Sequence, residues 1–325
     1  MELYERWPRD LVDGFDRSSG VGGLEGDNIV VCGMGGSAAA ADMISKALDM
    51  GGGPEVFVVK DAALPSRLRR LDNYSLVAIS YSGNTAETIR CALEASRRAN
   101  SVVAVSAGGR LEREASERGW VHIGLSKGHL PRTAYAQITG VLMGLLARRS
   151  LWSRSDIDNI SHSMLSYAKS DRRLLVESIV DGIKGKELIL VEVCREGEPL
   201  GIRFKNELEE NSKLIVKLNI YPESAHNDIV PIPLYSGRIF SIMIDSGGLC
   251  SMFLEAVTRF YEKHGVDFTS LSISIAGPLK YIEDSLKLAQ AIGLASVELA
   301  KLRGLDPSET QAISEYKRFI DFGRL

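Results

Sequence analysis

Short runs of β-branched apolar residues recur along this chain, separated by longer stretches of helical pattern, and that alternation permits few folds. In the first half the runs fall at 28–32, 55–59, 76–80, 101–106 and 120–124. Helical segments at 37–48 and 85–99 lie between them, and one at 133–149 closes the unit. This is the pattern of a doubly wound parallel sheet, with helices on both faces. Residues 151–171 mix Ser, Asp and Arg and read as a helical connection. Beyond it the alternation resumes, with strands expected at 187–193, 215–220, 239–244 and 270–275 and helices beginning near Phe204, Ser251, Leu279 and Pro307. The expectation is an α/β protein of two domains, residues 1–152 and 153–325, each layered α/β/α, with a C-terminal helix. No residue-by-residue repeat relates the halves.

A chain of 325 residues, 45% hydrophobic, is long enough for two such cores. With a net charge of -3 and Lys and Arg scattered among acids, it has no nucleic-acid footprint. The longest apolar stretches, such as 141–147, are too short to span a bilayer, and the polar start of the chain has no signal-peptide core. A cytoplasmic protein without nucleic-acid or membrane partners is expected. Cys32, Cys91, Cys194 and Cys250 lie far apart with no CxxC pair, which argues against zinc and predicts four buried thiols.

Two loops at strand ends carry the chemical signal. In the first, Gly33-Met34-Gly35-Gly36-Ser37-Ala38 opens an alanine-rich helix. Small residues let the backbone approach a ligand, and the free N–H groups of the first helical turn suit an anion. The spacing of Gly33, Gly35 and Ala38 also fits G-x-G-x-x-A, so a dinucleotide site competes. The second, Ser80-Tyr81-Ser82-Gly83-Asn84-Thr85, brings three short hydroxyls to another strand-to-helix turn. Such a cluster suits a small phosphate monoester, and no Walker lysine follows. Asn84 and Glu87 are spaced as a helix-start box.

Gly35-Gly36-Ser37 and the string from Ser80 to Thr85 resemble the phosphate-binding loops of the sugar isomerase (SIS) domain, a flavodoxin-like fold. Other landmarks from Val30 to Lys317 resemble the archaeal bifunctional phosphoglucose/phosphomannose isomerases, a branch of the phosphoglucose isomerase superfamily. The resemblance implies reversible, metal- and cofactor-free conversion of glucose 6-phosphate and mannose 6-phosphate to fructose 6-phosphate through a cis-enediol. Phosphate contacts fall on Gly35, Gly36, Ser37, Ser80, Ser82 and Thr85. Within Phe204 to Asn211 the family's enediol base maps to Glu207, although Glu210 shares its helical face and the residues alone do not separate the two.

The same resemblance makes His226, in Pro222-Glu223-Ser224-Ala225-His226-Asn227, a ring-opening group that acts across a homodimer with its active site at the subunit interface. It makes Lys317 a second ring-opening group, on a terminal helix whose first turn Pro307 would fit. Thr310, seven residues before Lys317, is linked to accepting both C2 epimers. Arg132, in Pro131-Arg132-Thr133, would stabilise charge on the enediolate. Aldose–ketose isomerisation requires a base that moves a proton between C2 and C1 and groups that open the ring, so a carboxylate, a His and a Lys form a coherent set.

Two other readings remain at this level. A sugar-phosphate-sensing regulator would need a basic helix-turn-helix, and none precedes Val30. An NAD-dependent enzyme would use Gly33 to Ala38, with Asp61 somewhat late for a ribose-binding acid.

Overall fold

The computed structural model describes residues 2–22, 24–68 and 70–319. The apolar runs of the first half form β1 (Asn28–Gly33), β2 (Val56–Val59), β3 (Tyr74–Ile79), β4 (Ser101–Ser106) and β5 (Val121–Gly124), all parallel, in the order β2-β1-β3-β4-β5. Those of the second half form β6 (Leu188–Cys194), β7 (Val216–Tyr221), β8 (Ile239–Asp245) and β9 (Asp267–Ser272), also parallel, in the order β7-β6-β8-β9. Each order reverses beside the first strand of its sheet, at β1/β3 and at β6/β8, and such reversals open a crevice at the carboxyl ends of the strands.

Around the first sheet run α1 (Glu2–Glu5), α2 (Trp7–Ser18), α3 (Gly35–Gly51), α4 (Ala86–Ala95), α5 (Gly109–Arg118) and α6 (Tyr135–Ala147). Next come α7 (Arg154–Lys169), α8 (Arg172–Ile183), α9 (Glu198–Ser212), α10 (Ile232–Tyr235), α11 (Leu249–His264), α12 (Pro278–Leu302) and α13 (Gln311–Arg318). Alternate residues of each strand feed different cores, because successive side chains point to opposite faces. Val30, Cys32, Leu76 and Ala78 meet α4 and α5 residues such as Ile89 and Leu111. Ile29, Val31, Val77 and Ile79 belong to a larger core that includes Ile189, Val191 and Ile242 of the second sheet. Residues of α2, α3, α6, α9 and α12 fill the space between, so one continuous apolar layer joins the sheets. Among the described residues no helix is long and apolar enough to cross a membrane.

Several elements depart from expectation. The polar start of the chain is helical: Tyr4, Trp7, Leu11 and Phe15 recur every three or four residues and are all buried, with Pro8 in the first turn of α2. Helix α5 was not anticipated because it buries only Leu111 and Ala115 among charged residues. Strand β9 begins three residues before the expected position; it is an edge strand, largely half-exposed, so no apolar run marks it. Thr85, not Asn84, caps α4, and Asn84 instead donates to the Ser82 carbonyl and accepts from the Arg110 N–H. The terminal helix starts at Gln311, leaving Pro307 outside it.

The four cysteines are buried as expected, but they are not thiols. Cys32 is bonded to Cys91 and Cys194 to Cys250, closing sequence separations of 59 and 56 residues. Spacing along the chain could not reveal this, because strand-to-helix packing creates the proximity: one bridge ties β1 to α4, the other β6 to α11.

Beneath α11 lies a carboxyl group that the fold sequesters. Glu192 of β6 is fully buried, accepts from the Tyr261 hydroxyl, and stands 3.4 Å from Ser241 Oγ. Its Oε2 has no partner among the described residues. Desolvation pushes the Glu192 carboxyl up to about 7, against the opposing hydrogen bond from Tyr261. A raised folded value means that the native state holds the proton longer than the unfolded chain does. The associated stability is complete below the unfolded carboxylate range and is lost as pH rises to 7. Unfolding free energy should therefore fall by about 3 kcal/mol across that interval from this group. Urea titrations of Glu192→Gln at pH 5 and pH 8 should show that component removed.

Candidate active site

The loop after β1 and the loop after β3 meet at the β1/β3 reversal. The Tyr81 N–H donates to Ser37 Oγ (3.2 Å), which fastens one loop to the other. Within the second loop Ser80 Oγ and Thr85 Oγ1 are 2.9 Å apart, the Thr85 N–H donates to Ser80 Oγ, and Ser82 is exposed. Gly83 has φ +66°, and a Cβ there would fall 1.7 Å from the Gly108 carbonyl. Only glycine permits that turn, in which the Gly83 carbonyl accepts from the Leu111 N–H (2.8 Å) and the Tyr81 carbonyl from the Ala107 N–H (2.8 Å). Two helix N-termini, of α3 and α4, thus open beside a set of hydroxyls.

A third loop, after β5, brings in Arg132. Its backbone lies against the first loop: a Cβ on Gly36 would be 2.9 Å from Arg132 Cα. The guanidinium is nearly buried and reaches into the second half of the chain. It donates to Asn211 Oδ1 (2.7 Å), Glu210 Oε2 (3.1 Å) and the Pro307 carbonyl (2.6 Å). Lys213, which ends α9 at φ +55°, donates to the Glu210 and Asp306 carbonyls (2.8 and 2.9 Å) and fixes the same junction. Desolvation, then the Arg132 charge, hold the Lys213 ammonium below its ordinary range.

Glu207 and Glu210, inseparable by sequence, have opposite environments. Glu207 is fully buried. It accepts from Tyr4, Arg203 and Asn211 Nδ2, the last at 2.8 Å, so both its oxygens are occupied. Burial raises its carboxyl, against the Arg203 charge. Arg203 is itself 1% exposed, lies over the Tyr135 ring at 4.6 Å, and donates to the Arg132 carbonyl at 2.6 Å. Glu207 therefore serves as the counter-ion of a buried arginine. Glu210, one turn further on, keeps 27% of its side chain accessible beside Arg132.

The remaining expected residues are not gathered here. His226 lies exposed in the short 3-10 turn Glu223–His226, and Lys317 is exposed on α13, a helix with no buried residue. Thr310 is half-buried at the start of α13, three residues past the Pro307 carbonyl that binds Arg132. Sequence reasoning passed over Tyr4, Arg203, Asn211 and Lys213. The i, i+4 spacing of Arg203, Glu207 and Asn211 was the available signal.

The second reversal is occupied from within. Asp245, at the end of β8, accepts from the Gly247 N–H (2.7 Å) and the Ser251 hydroxyl (2.8 Å) in front of α11. The chain's own carboxylate therefore faces the N-terminus of α11, whereas among the described residues no carboxylate is hydrogen-bonded in the loops after β1 and β3.

This fold and site define a two-sheet sugar-phosphate-isomerase architecture, and comparison with known proteins agrees. Residues 25–123 match the SIS domain family, and residues 176–320 match the bacterial phospho-glucose isomerase C-terminal SIS domain. The chain is 39% identical to the bifunctional phosphoglucose/phosphomannose isomerase of Aeropyrum pernix, over 98% of this chain and 96% of that one. It is 27% identical to the protein of the same name from Thermoplasma volcanium, over 94% and 95%. The crystal structure of tagatose-6-phosphate ketose/aldose isomerase from Escherichia coli superposes with a TM-score of 0.73 at 12% identity, covering 94% of this chain and 93% of that one, and so shares the fold. The chain belongs to the bifunctional phosphoglucose/phosphomannose isomerase family, and it is an isomerase.

Proposed function

We propose that the chain interconverts glucose 6-phosphate and mannose 6-phosphate with fructose 6-phosphate, with Glu210 as the base. The observation that carries this reading is an accessible carboxylate, Glu210, held 3.1 Å from Arg132 beside two hydroxyl-lined loops. The phosphate sits among Gly35, Gly36, Ser37, Ser80, Ser82 and Thr85, where amides and hydroxyls donate without a metal. Glu210 removes the C2 proton and returns it to C1 on one face of a cis-enediolate. Arg132 offsets the charge that develops on its oxygens. A single base that serves both faces of C2 after rotation of the enediolate about its C2–C3 single bond needs room, which a short Thr310 leaves.

The ring-opening groups come from the exposed segments. Val230 and Leu234 follow the His226 turn in sequence, Leu249 and Met252 open α11, Ile313 and Tyr316 lie on α13, and all six are large apolar side chains open to solvent. Two copies that cover these surfaces form a homodimer in which His226 reaches the neighbouring site and α13, carrying Lys317, closes over the substrate. The domains divide at 152/153, between α6 and α7, and the enzyme works in the cytoplasm. Purified protein fed fructose 6-phosphate with EDTA should yield both aldose phosphates; formation of neither overturns the assignment, and formation of glucose 6-phosphate alone overturns the dual specificity.

A further inference from the structure

Behind the turn that carries Arg132 lies a titratable pair for which the reaction above has no use. Asp10 of α2 and His129 are both buried, and His129 Nε2 is 3.6 Å from Asp10 Oδ2. Neither atom has a hydrogen-bond partner among the described residues, so each is left facing the other. On the other edge of the ring, Nδ1 is 3.3 Å from Thr133 Oγ1, which accepts from the Leu130 N–H at 3.0 Å. The turn 130–133 is thereby closed from inside. Its outer contacts are the Arg203 donation to the Arg132 carbonyl and the Trp7 Nε1 donation to the Thr133 carbonyl (2.9 Å). The backbone N–H of His129 donates to the Tyr81 hydroxyl (2.8 Å), which links the turn to the Ser80–Thr85 loop.

We propose that Asp10, His129 and Thr133 form a buried polar chain whose task is to position Arg132 for the isomerisation. The inference rests on the reading that Arg132 acts in the site. The proton inventory is consistent. A neutral His129 protonated at Nε2 points its N–H at the Asp10 carboxylate, 3.6 Å away, and the Thr133 hydroxyl proton is shared between Nδ1 (3.3 Å) and the Leu130 carbonyl (3.1 Å). Tautomer assignment follows from these partners. Charged groups facing the pair are few: Arg6, 3.5 Å from Asp10 Oδ1, with Arg9 and Asp13 on the same helix, and the Tyr81 ring edge-on to the imidazole at 6.2 Å. Burial raises the Asp10 carboxyl to about 6 and, followed by the Arg6 charge, lowers His129. At neutral pH the pair is therefore one carboxylate and one neutral imidazole. None of the three side chains touches the proposed substrate position, so they are positioning residues.

A misplacement of about 1 Å at a charge-stabilising group can cost about 10²-fold in rate, and His129→Ala should approach that loss in kcat. Inhibition by inorganic phosphate, which reports the hydroxyl loops, should stay within about twofold of wild type, as expected where binding and positioning are separate. The decisive experiment is a double-mutant cycle with Arg132→Ala. If His129 acts through Arg132, adding His129→Ala to Arg132→Ala changes kcat by less than about twofold. Asp10→Asn, which preserves shape, should repeat the pattern, and Thr133→Ser should retain the activity that Thr133→Val loses. Multiplicative losses in the cycle, or full kcat in both His129→Ala and Asp10→Asn, overturn the inference. Full activity in Arg132→Ala would instead sink the role of Arg132 itself.

Discussion

Glu210→Gln is expected to lower kcat for fructose 6-phosphate by about 10²- to 10⁴-fold, the range for loss of an acid–base group, with the urea midpoint unchanged. Glu210 is partly accessible and bonded to Arg132 through one oxygen, and the glutamine amide oxygen can still accept from that guanidinium. Glu207→Gln should behave in the opposite way. It would leave Arg203, 1% exposed, without its counter-ion, and breaking a buried pair from one side costs about 3 to 5 kcal/mol. Its signature is a lowered unfolding free energy, with turnover falling only as the folded fraction falls. Measuring kcat and urea unfolding on both variants separates base from scaffold. If Glu207→Gln folds with wild-type stability and is inactive while Glu210→Gln turns over normally, the assignment is reversed.

Reduction should produce the second large effect. In the chain-entropy picture a bridge closing a loop of roughly 60 residues stabilises by about 4 kcal/mol, by restricting the unfolded chain. Cys32 to Cys91 and Cys194 to Cys250 close loops of that size in different parts of the fold, so their contributions should be nearly additive. Cys32→Ser with Cys91→Ser, and the corresponding change at Cys194 and Cys250, should each lower the unfolding free energy by about 2 to 4 kcal/mol. Unfolding of the wild type with and without reductant checks this. No change on reduction would mean that the bridges add nothing.

Elements defined by their own composition were legible in the sequence. Val30 and Val31, Val77, Val102 and Val103 in the first sheet, and Ile189, Val191 and Ile242 in the second, announce strands because each face of a central parallel strand must be apolar. The strings Gly35-Gly36-Ser37 and Ser80 to Thr85 were also visible, because loops at strand ends need special residues. What was hidden depends on contacts between distant segments. The Tyr4 hydroxyl meets Glu207 across a separation of 203 residues, and Arg132 meets Asn211 across 79. No local pattern encodes either. The distinction between Glu207 and Glu210 is of this kind: both lie on one face of α9, and the packing of α12 and α3 against that helix, with Tyr4, Trp7 and Tyr135 around Arg203 and Glu207, seals one and spares the other. Edge strand β9 and the mostly exposed α5 and α13 escaped or drifted because solvent asks little of their composition.

Soaking crystals of Glu210→Gln with fructose 6-phosphate, a substrate that this variant should hold without turning over, puts the whole scheme at risk in one experiment. The account predicts the phosphoryl group among Ser37, Ser80, Ser82 and Thr85, with residue 210 about 3 to 3.5 Å from C1 and C2. A phosphoryl group bound elsewhere, or a sugar whose first two carbons face residue 207, would contradict it.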